Sequence, residues 1–312
     1  MGNEMKTKEK IFHLLKETDD ILSGERISAE LGVSRVSVWK HIKKMVGSGI
    51  PISSSSRGYR LSPNPDSLNP MEFGDRAGRV HYFQETSSTM DDATALARQG
   101  CPDFTVIVAE RQTGGRGRME RVWISGSGGL YFTTVVRPDI PVIQASLVTL
   151  AAAVEMTMLL RSSYNIPASL KWPNDILVNG LKICGFLSRM ETEGDQIGHL
   201  SIGIGLNVNN APEQEEPVAV SMKKLLGRTI PRREILVSFL DCFEKRLENF
   251  DPQAVIDDWK NNNITIGKQV TITTFKETVE GIATDIDFIG GLILQLPDGT
   301  RETIIHGDCF QR

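Results

Sequence analysis

Apolar positions near the start of the chain recur at helical spacing. Over residues 8–17, Ile11, Leu14 and Leu15 turn to one face, which predicts a short amphipathic helix. Ser28 is placed to cap a second helix around 29–31, and Gly32 behind it is free to take positive φ. Ser34 predicts the cap of a third helix reaching about Val46. There Val38, Ile42 and Met45 form the inward stripe, while Arg35, Trp39 and Lys43 share the opposite face beside Val36 and Lys40. From Ile50 to Leu61 two short β segments flank a Ser/Gly tip that carries Arg57 and Arg60. Helix, glycine turn, basic helix and β wing predict a winged helix-turn-helix; a helical protein-docking module is the alternative. The Pro- and Asn-rich residues 62–70 read as a linker.

Beyond the linker, short apolar runs alternate with helical patterns. Strands are predicted at 80–83, 105–110, 130–136, 169–172, 176–178, 182–190 and 200–208. Helices are predicted at 88–99, 144–161, 233–250 and 252–262. Asn179-Gly180 is the strongest hairpin signal in the chain. Hairpins mixed with helices predict an α+β domain on a mixed sheet. The tail places β runs at 270–273, 278–286, 292–295 and 302–305 around Gly290-Gly291 and Asp298-Gly299, which reads as a small barrel. The domains expected are a head at 1–62, a linker at 63–78, a central domain at 79–264 and a tail domain at 265–312.

Composition adds little until charge is mapped along the chain. The 312 residues are 40% hydrophobic and 24% charged, ordinary for a folded protein. The net charge of -4 is uneven. Residues 1–62 hold eleven Lys/Arg against seven Asp/Glu, and the remainder 24 against 32. A basic head on an acidic body suits a polyanion such as DNA, with a solvated helix face as the bland reading. Four scattered cysteines lack zinc spacing and give no disulfide framework, so neither a protein-held metal nor secretion is expected. The longest apolar stretch, 146–160, carries Glu155 and falls short of the ~20 residues of a bilayer span. With no signal sequence at its start, the chain is expected to be cytoplasmic and free of membrane.

The densest chemical signal is Gln112-Thr-Gly-Gly-Arg-Gly-Arg-Met-Glu-Arg-Val-Trp123, directly after a predicted strand. Glycine lets backbone approach a ligand, and each Arg offers a planar fork for phosphate or carboxylate. No Lys-Ser/Thr pair ends the loop, which excludes the usual phosphate loop of nucleotide hydrolases. An anion-binding lid results; a flexible RNA-binding segment is the alternative. Downstream, Lys171-Trp-Pro-Asn-Asp175 leads through the hairpin to Lys182-Ile-Cys-Gly185. A lysine just past a tight turn can project its ammonium into a cleft, though alone it reads as an exposed strand lysine.

These segments, with Gly203-x-Gly-x-Asn-Val208, occur in an order and at distances that resemble biotin–protein ligases. The amino-terminal winged helix resembles the bifunctional subclass, the biotin operon repressors. The resemblance implies activation of biotin by MgATP to biotinyl-5′-adenylate, then transfer to a lysine of a biotin carboxyl carrier protein. It implies biotin contacts at Ser88, Thr89, Met90, Gln112, Arg116, Gly117, Arg118 and Lys182. Nucleotide contacts are implied at Gly115, Arg116, Arg118, Arg121, Trp123 and Asn207, with Lys182 and Arg118 as the catalytic cations. Arg35, Val36, Trp39, Lys40, Lys43, Arg57 and Arg60 are the expected DNA contacts of a homodimer on operator DNA. The tail resembles the family's SH3-like cap. Two positions depart from the family pattern: Met90 stands where Asn is frequent, and Glu120 replaces a loop glycine. A lipoyl or octanoyl transferase of related fold is the other enzyme considered, with Cys184 as its nucleophile. A ligand-sensing repressor without enzyme activity is the reading from another class.

Overall fold

A computed structural model describes residues 7–47, 49–119 and 121–311. The chain divides into two compact units, residues 1–78 and 79–312.

In the first unit, α1 (Thr7–Lys16) buries Ile11, Phe12 and Leu15, so Phe12 replaces Leu14 on the innermost line. Helix α2 (Gly24–Leu31) starts earlier than its pattern suggests. Ser23, not Ser28, is its cap and accepts from the Arg26 N–H. Ser28 lies inside the helix, four residues past its start, and its hydroxyl donates to the Val33 carbonyl at the other end of the helix. Gly32 closes α2 at φ 64°. Ser34 accepts from Ser37 N–H at the start of α3 (Arg35–Gly47), whose Val38, Ile42 and Met45 are buried. The wing is β1 (Ile52–Ser55) and β2 (Gly58–Leu61), extended by Leu22 pairing with Tyr59. Gly58 sits at φ 140° against the Leu22 carbonyl, and a Cβ there would lie 2.2 Å from that oxygen. The expected linker is not open chain throughout. Pro70–Arg79 forms 3₁₀ turns broken at Gly74; Phe73 is buried and Met71 packs on the head's core.

The second unit is built on a seven-stranded sheet. Its strands are β3 (Val80–Phe83), β4 (Thr105–Ala109), β5 (Leu130–Val136), β6 (Ser169–Lys171), β7 (Asp175–Val178), β8 (Leu181–Glu193) and β9 (Gln196–Leu206). They run in the order β3-β4-β5-β9-β8-β7-β6, and only β3 and β4 are parallel. Helix α4 (Thr89–Arg98) connects that parallel pair and buries Ala93 and Ala97 against Ile107 and Val135. Asn179 and Gly180 turn β7 into β8 with φ of 51° and 80°, as their hairpin signal requires.

Helix α5 (Ala145–Tyr164) is the core helix. The helical stretch Val142–Tyr164 is long and apolar enough to cross a membrane, against the expectation that this segment falls short. Burial accounts for its composition: 67% of its apolar window lies inside the fold, and Glu155 meets Arg246 at 2.7 Å. Helices α6 (Met222–Leu226), α7 (Arg232–Glu248) and α8 (Pro252–Asn262) follow, with α7 and α8 packed on α5. Phe239 and Phe243 of α7 stack on each other and meet Phe132 and Phe104 edge-on.

The tail forms an antiparallel sheet of β10 (Gln269–Thr273), β11 (Thr278–Ile286), β12 (Leu292–Gln295), β13 (Arg301–Ile304) and β14 (Asp308–Gln311), in the order β13-β12-β11-β10-β14. Strand β14 is not apparent in the apolar pattern, yet it brings Asp308 and Phe310 to the site below.

Candidate active site

One cavity of about 570 Å³ opens on the second unit, and its lining joins α4, the Arg/Gly loop, β5, β7, β8, β9 and β14. At one end stand hydroxyls and an amide. Thr89 at the head of α4 donates to Gln112 Oε1 from its N–H (2.9 Å) and its hydroxyl (3.1 Å). Thr133 of β5, fully buried, donates to the Thr89 hydroxyl at 2.9 Å. Met90 and Gly203 close the floor. The Met90 methyl would lie 2.9 Å from a Cβ at residue 203, so glycine there makes room for the thioether.

At the other end the floor is a pair of facing glycines, Gly185 of β8 and Gly205 of β9. Both would collide with the Trp123 ring if given a Cβ, at 2.9 and 2.4 Å. The indole therefore lies directly on bare backbone. Lys182 Nζ is 5.1 Å from the same ring's centroid and 2.7 Å from Asp175 Oδ1. The neighbouring backbone holds Lys182 from both sides: its N–H donates to Val218 O (2.7 Å) and its carbonyl accepts from Val220 N–H (2.9 Å).

The Arg/Gly loop is folded rather than loose. Trp123 N–H donates to Gly115 O (2.9 Å), and Gly117 N–H donates to Arg121 O (2.7 Å). Each arginine has a polar partner: Arg116 with Asp91 at 2.7 Å, Arg118 with Asn174 Oδ1 at 3.3 Å, and Arg121 with Asp308. Burial pulls the Arg118 guanidinium below its ordinary pKa, opposed by the nearby Asp308 and Asp175 carboxylates. Met119 holds φ 50°; Glu120 lies outside the described residues.

Ser88, Thr89, Met90, Gln112, Arg116, Gly117, Arg118, Arg121, Trp123, Lys182 and Asn207 all line the cavity. Gly115 lies beneath it, where a Cβ would meet Trp123 O at 2.4 Å and the Ser125 hydroxyl at 2.6 Å. Sequence reasoning missed Thr133, whose only signal was a threonine inside an apolar strand. It also missed Asp308 and Phe310, which reach the cavity from another domain. Cys184 is fully buried, and burial pushes its thiol far above the ordinary range. That removes the nucleophile on which the octanoyl-transferase reading depends.

In the first unit, Arg35, Val36, Trp39 and Arg57 line a groove between α3 and the wing, with Tyr59 and the wing serines. Lys40, Lys43 and Arg60 are exposed outside it, and Lys43 Nζ lies 5.1 Å from the Trp39 ring centroid.

Comparison with known proteins agrees along the length of the chain. Residues 82–207 match the biotin/lipoate A/B protein ligase family, residues 7–60 an HTH domain, and residues 265–312 the biotin protein ligase C-terminal domain. The bifunctional ligase/repressor BirA of Bacillus subtilis is 36% identical over 91% of this chain and 92% of its own. The chain belongs to the bifunctional biotin ligase/repressor family. A Mycobacterium tuberculosis biotin–[acetyl-CoA-carboxylase] ligase is 33% identical over 79% of this chain and 95% of its own. The Aquifex aeolicus biotin protein ligase solved with biotin and ATP superimposes with a TM-score of 0.63 at 27% identity. It covers 75% of this chain and 98% of its own. Membership of the bifunctional family joins an ATP-dependent ligase to a DNA-binding repressor head.

Proposed function

We propose that the cavity joins biotin to MgATP as biotinyl-5′-adenylate and that the acyl group then passes to a lysine of a biotin carboxyl carrier protein. One observation carries the reading: an ammonium and a guanidinium, Lys182 and Arg118, line one cavity with a hydroxyl-lined end and an indole-covered end. Biotin's ureido ring is neutral and polar, and Ser88, Thr89 and Gln112 offer it matched hydrogen bonds beside the Met90 thioether. Arg116 and Gly117 border the same end. The adenine side takes Trp123 and Asn207, with Gly115 and Arg121 shaping the loop.

Attack of a carboxylate oxygen on the α-phosphorus forms a C–O–P bridge and expels pyrophosphate. Two anions meet in that step, so Lys182 and Arg118 lower its barrier by standing where charge accumulates. Mg²⁺ arrives with the triphosphate as part of the substrate. The mixed anhydride hydrolyses in water, and the folded Arg/Gly loop keeps water from it. In the second step the carrier's lysine amine forms an amide with the acyl carbon, and AMP leaves. No enzyme nucleophile takes part.

The head reads operator DNA as part of a homodimer, with Arg35, Val36, Trp39, Lys40 and Lys43 toward the major groove and Arg57 and Arg60 toward phosphate. The test is incubation of the whole chain with biotin, MgATP and a carrier domain. One biotinyl group gained on one carrier lysine, dependent on ATP, is the expected result. A protein that binds biotin yet forms no adenylate is a sensor only, and the enzymatic reading falls.

A further inference from the structure

A continuous run of hydrogen bonds crosses the cavity wall, and its directions are fixed. Thr133 donates to the Thr89 hydroxyl, and Thr89 donates to Gln112 Oε1. At its far end Gln112 Nε2 donates to the Ser125 hydroxyl at 2.8 Å, and Ser125 donates to the Trp123 carbonyl at 3.0 Å. Trp123 is in turn tied through its N–H to Gly115 O. Ser125 is 6% exposed and does not line the cavity, so it meets no ligand directly. It nevertheless joins the two ends of the site.

Each hydroxyl has one proton, and those of Thr133, Thr89 and Ser125 are all donated within the run. A ligand carbonyl that accepts from the Thr89 hydroxyl therefore takes that proton from Gln112 Oε1. Gln112 then keeps only the Thr89 N–H on that oxygen. The change reaches its Nε2, the Ser125 oxygen and the Trp123 carbonyl in sequence. Slack is scarce along this path, since Gly115 packs so closely on Trp123 O and Ser125 Oγ that no side chain fits between them.

We propose that Ser125 is a positioning residue that couples occupancy of the biotin end to the placement of Trp123, and so to nucleotide binding. The proposal rests on the biotin and nucleotide ends assigned above. Coupling through one neutral hydrogen bond corresponds to a change of roughly 3- to 10-fold in affinity.

Calorimetry on the full chain tests it, titrating biotin with and without a non-hydrolysable ATP analogue. In the unchanged protein, biotin and the analogue tighten each other by that factor. Ser125→Ala is expected to hold biotin alone within about threefold and to lose the mutual tightening, because an alanine methyl cannot bridge Gln112 to Trp123 O. Ser125→Thr retains the hydroxyl and is expected to restore the coupling. Undiminished coupling in Ser125→Ala overturns the proposal. So do equal losses of biotin affinity and nucleotide affinity, or absence of coupling in the unchanged protein. Failure of the unchanged protein to bind biotin at all sinks the site assignment instead, which separates the two claims.

Discussion

Lys182 has two neighbours with opposite demands. Asp175 holds its ammonium at 2.7 Å, while the Trp123 ring offers a softer attraction at 5.1 Å. A substrate anion must draw the ammonium from Asp175, and the proposed catalytic role requires that the exchange favours the developing phosphate charge. Lys182→Met keeps the stem and removes the charge. Adenylate formation in a quenched single turnover should fall about 10²- to 10³-fold. The urea midpoint should barely move, because the side chain is 32% exposed and its ion pair is worth about 1 kcal/mol or less. Gly205→Ala makes a different prediction. Its methyl would lie 2.4 Å from the Trp123 ring, so the indole must lift. The KM for ATP should rise about 10-fold or more while biotin affinity stays within about threefold. At this scale much of the site was legible, because glycine and arginine in one short loop announce themselves by type. Thr133, Asp308 and Phe310 were not, since nothing in their local sequence distinguishes a strand residue that lines a cavity from one that does not.

Elements with one face to the core wrote their pattern clearly. Val38, Ile42 and Met45 of α3 fall on the buried side as their i, i+4, i+7 spacing requires. Strands β3, β5, β11 and β12 and helix α8 have the bounds that their apolar runs suggest. The failures have local causes. Ser28 resembles a cap, but Ser23 lies before an acidic first turn, with Glu25, and takes that role. Helix α6 has only five residues, too few for a period to show. Strand β14 ends the chain with a buried Cys309 between exposed and polar neighbours, so its run is not apolar. Helix α7 holds the core through Phe239, fully buried between Phe132 and Phe243. Phe239→Ala should cost about 3–5 kcal/mol in urea unfolding followed by far-UV circular dichroism. A cost under about 1 kcal/mol would mean that the aromatic stack does not carry this core.

The whole molecule separates two tasks by charge. The basic head, with Arg35, Trp39 and Arg57 around one groove, is suited to phosphate; the acidic body carries the cavity proposed for the ligase chemistry. Binding of operator DNA should weaken steeply with salt, and Arg57→Ala should reduce the slope of log K against log salt by about 1 for each phosphate that is no longer neutralised. Electrophoretic mobility shifts at graded salt measure this, and an unchanged slope would place Arg57 away from the backbone. The division into head and body was readable from charge and loop composition. That the tail sheet supplies part of the cavity wall was not, because the two segments meet only in the tertiary fold.

All of this chemistry requires that the cavity make an acyl-adenylate while the enzyme itself stays unacylated. The decisive measurement is incubation with labelled biotin and MgATP, followed by denaturation and mass analysis. All label is expected to leave the unfolded protein as biotinyl-5′-adenylate, and Lys182→Met is expected to yield almost none. Label retained covalently on the chain, at Cys184 above all, would contradict this.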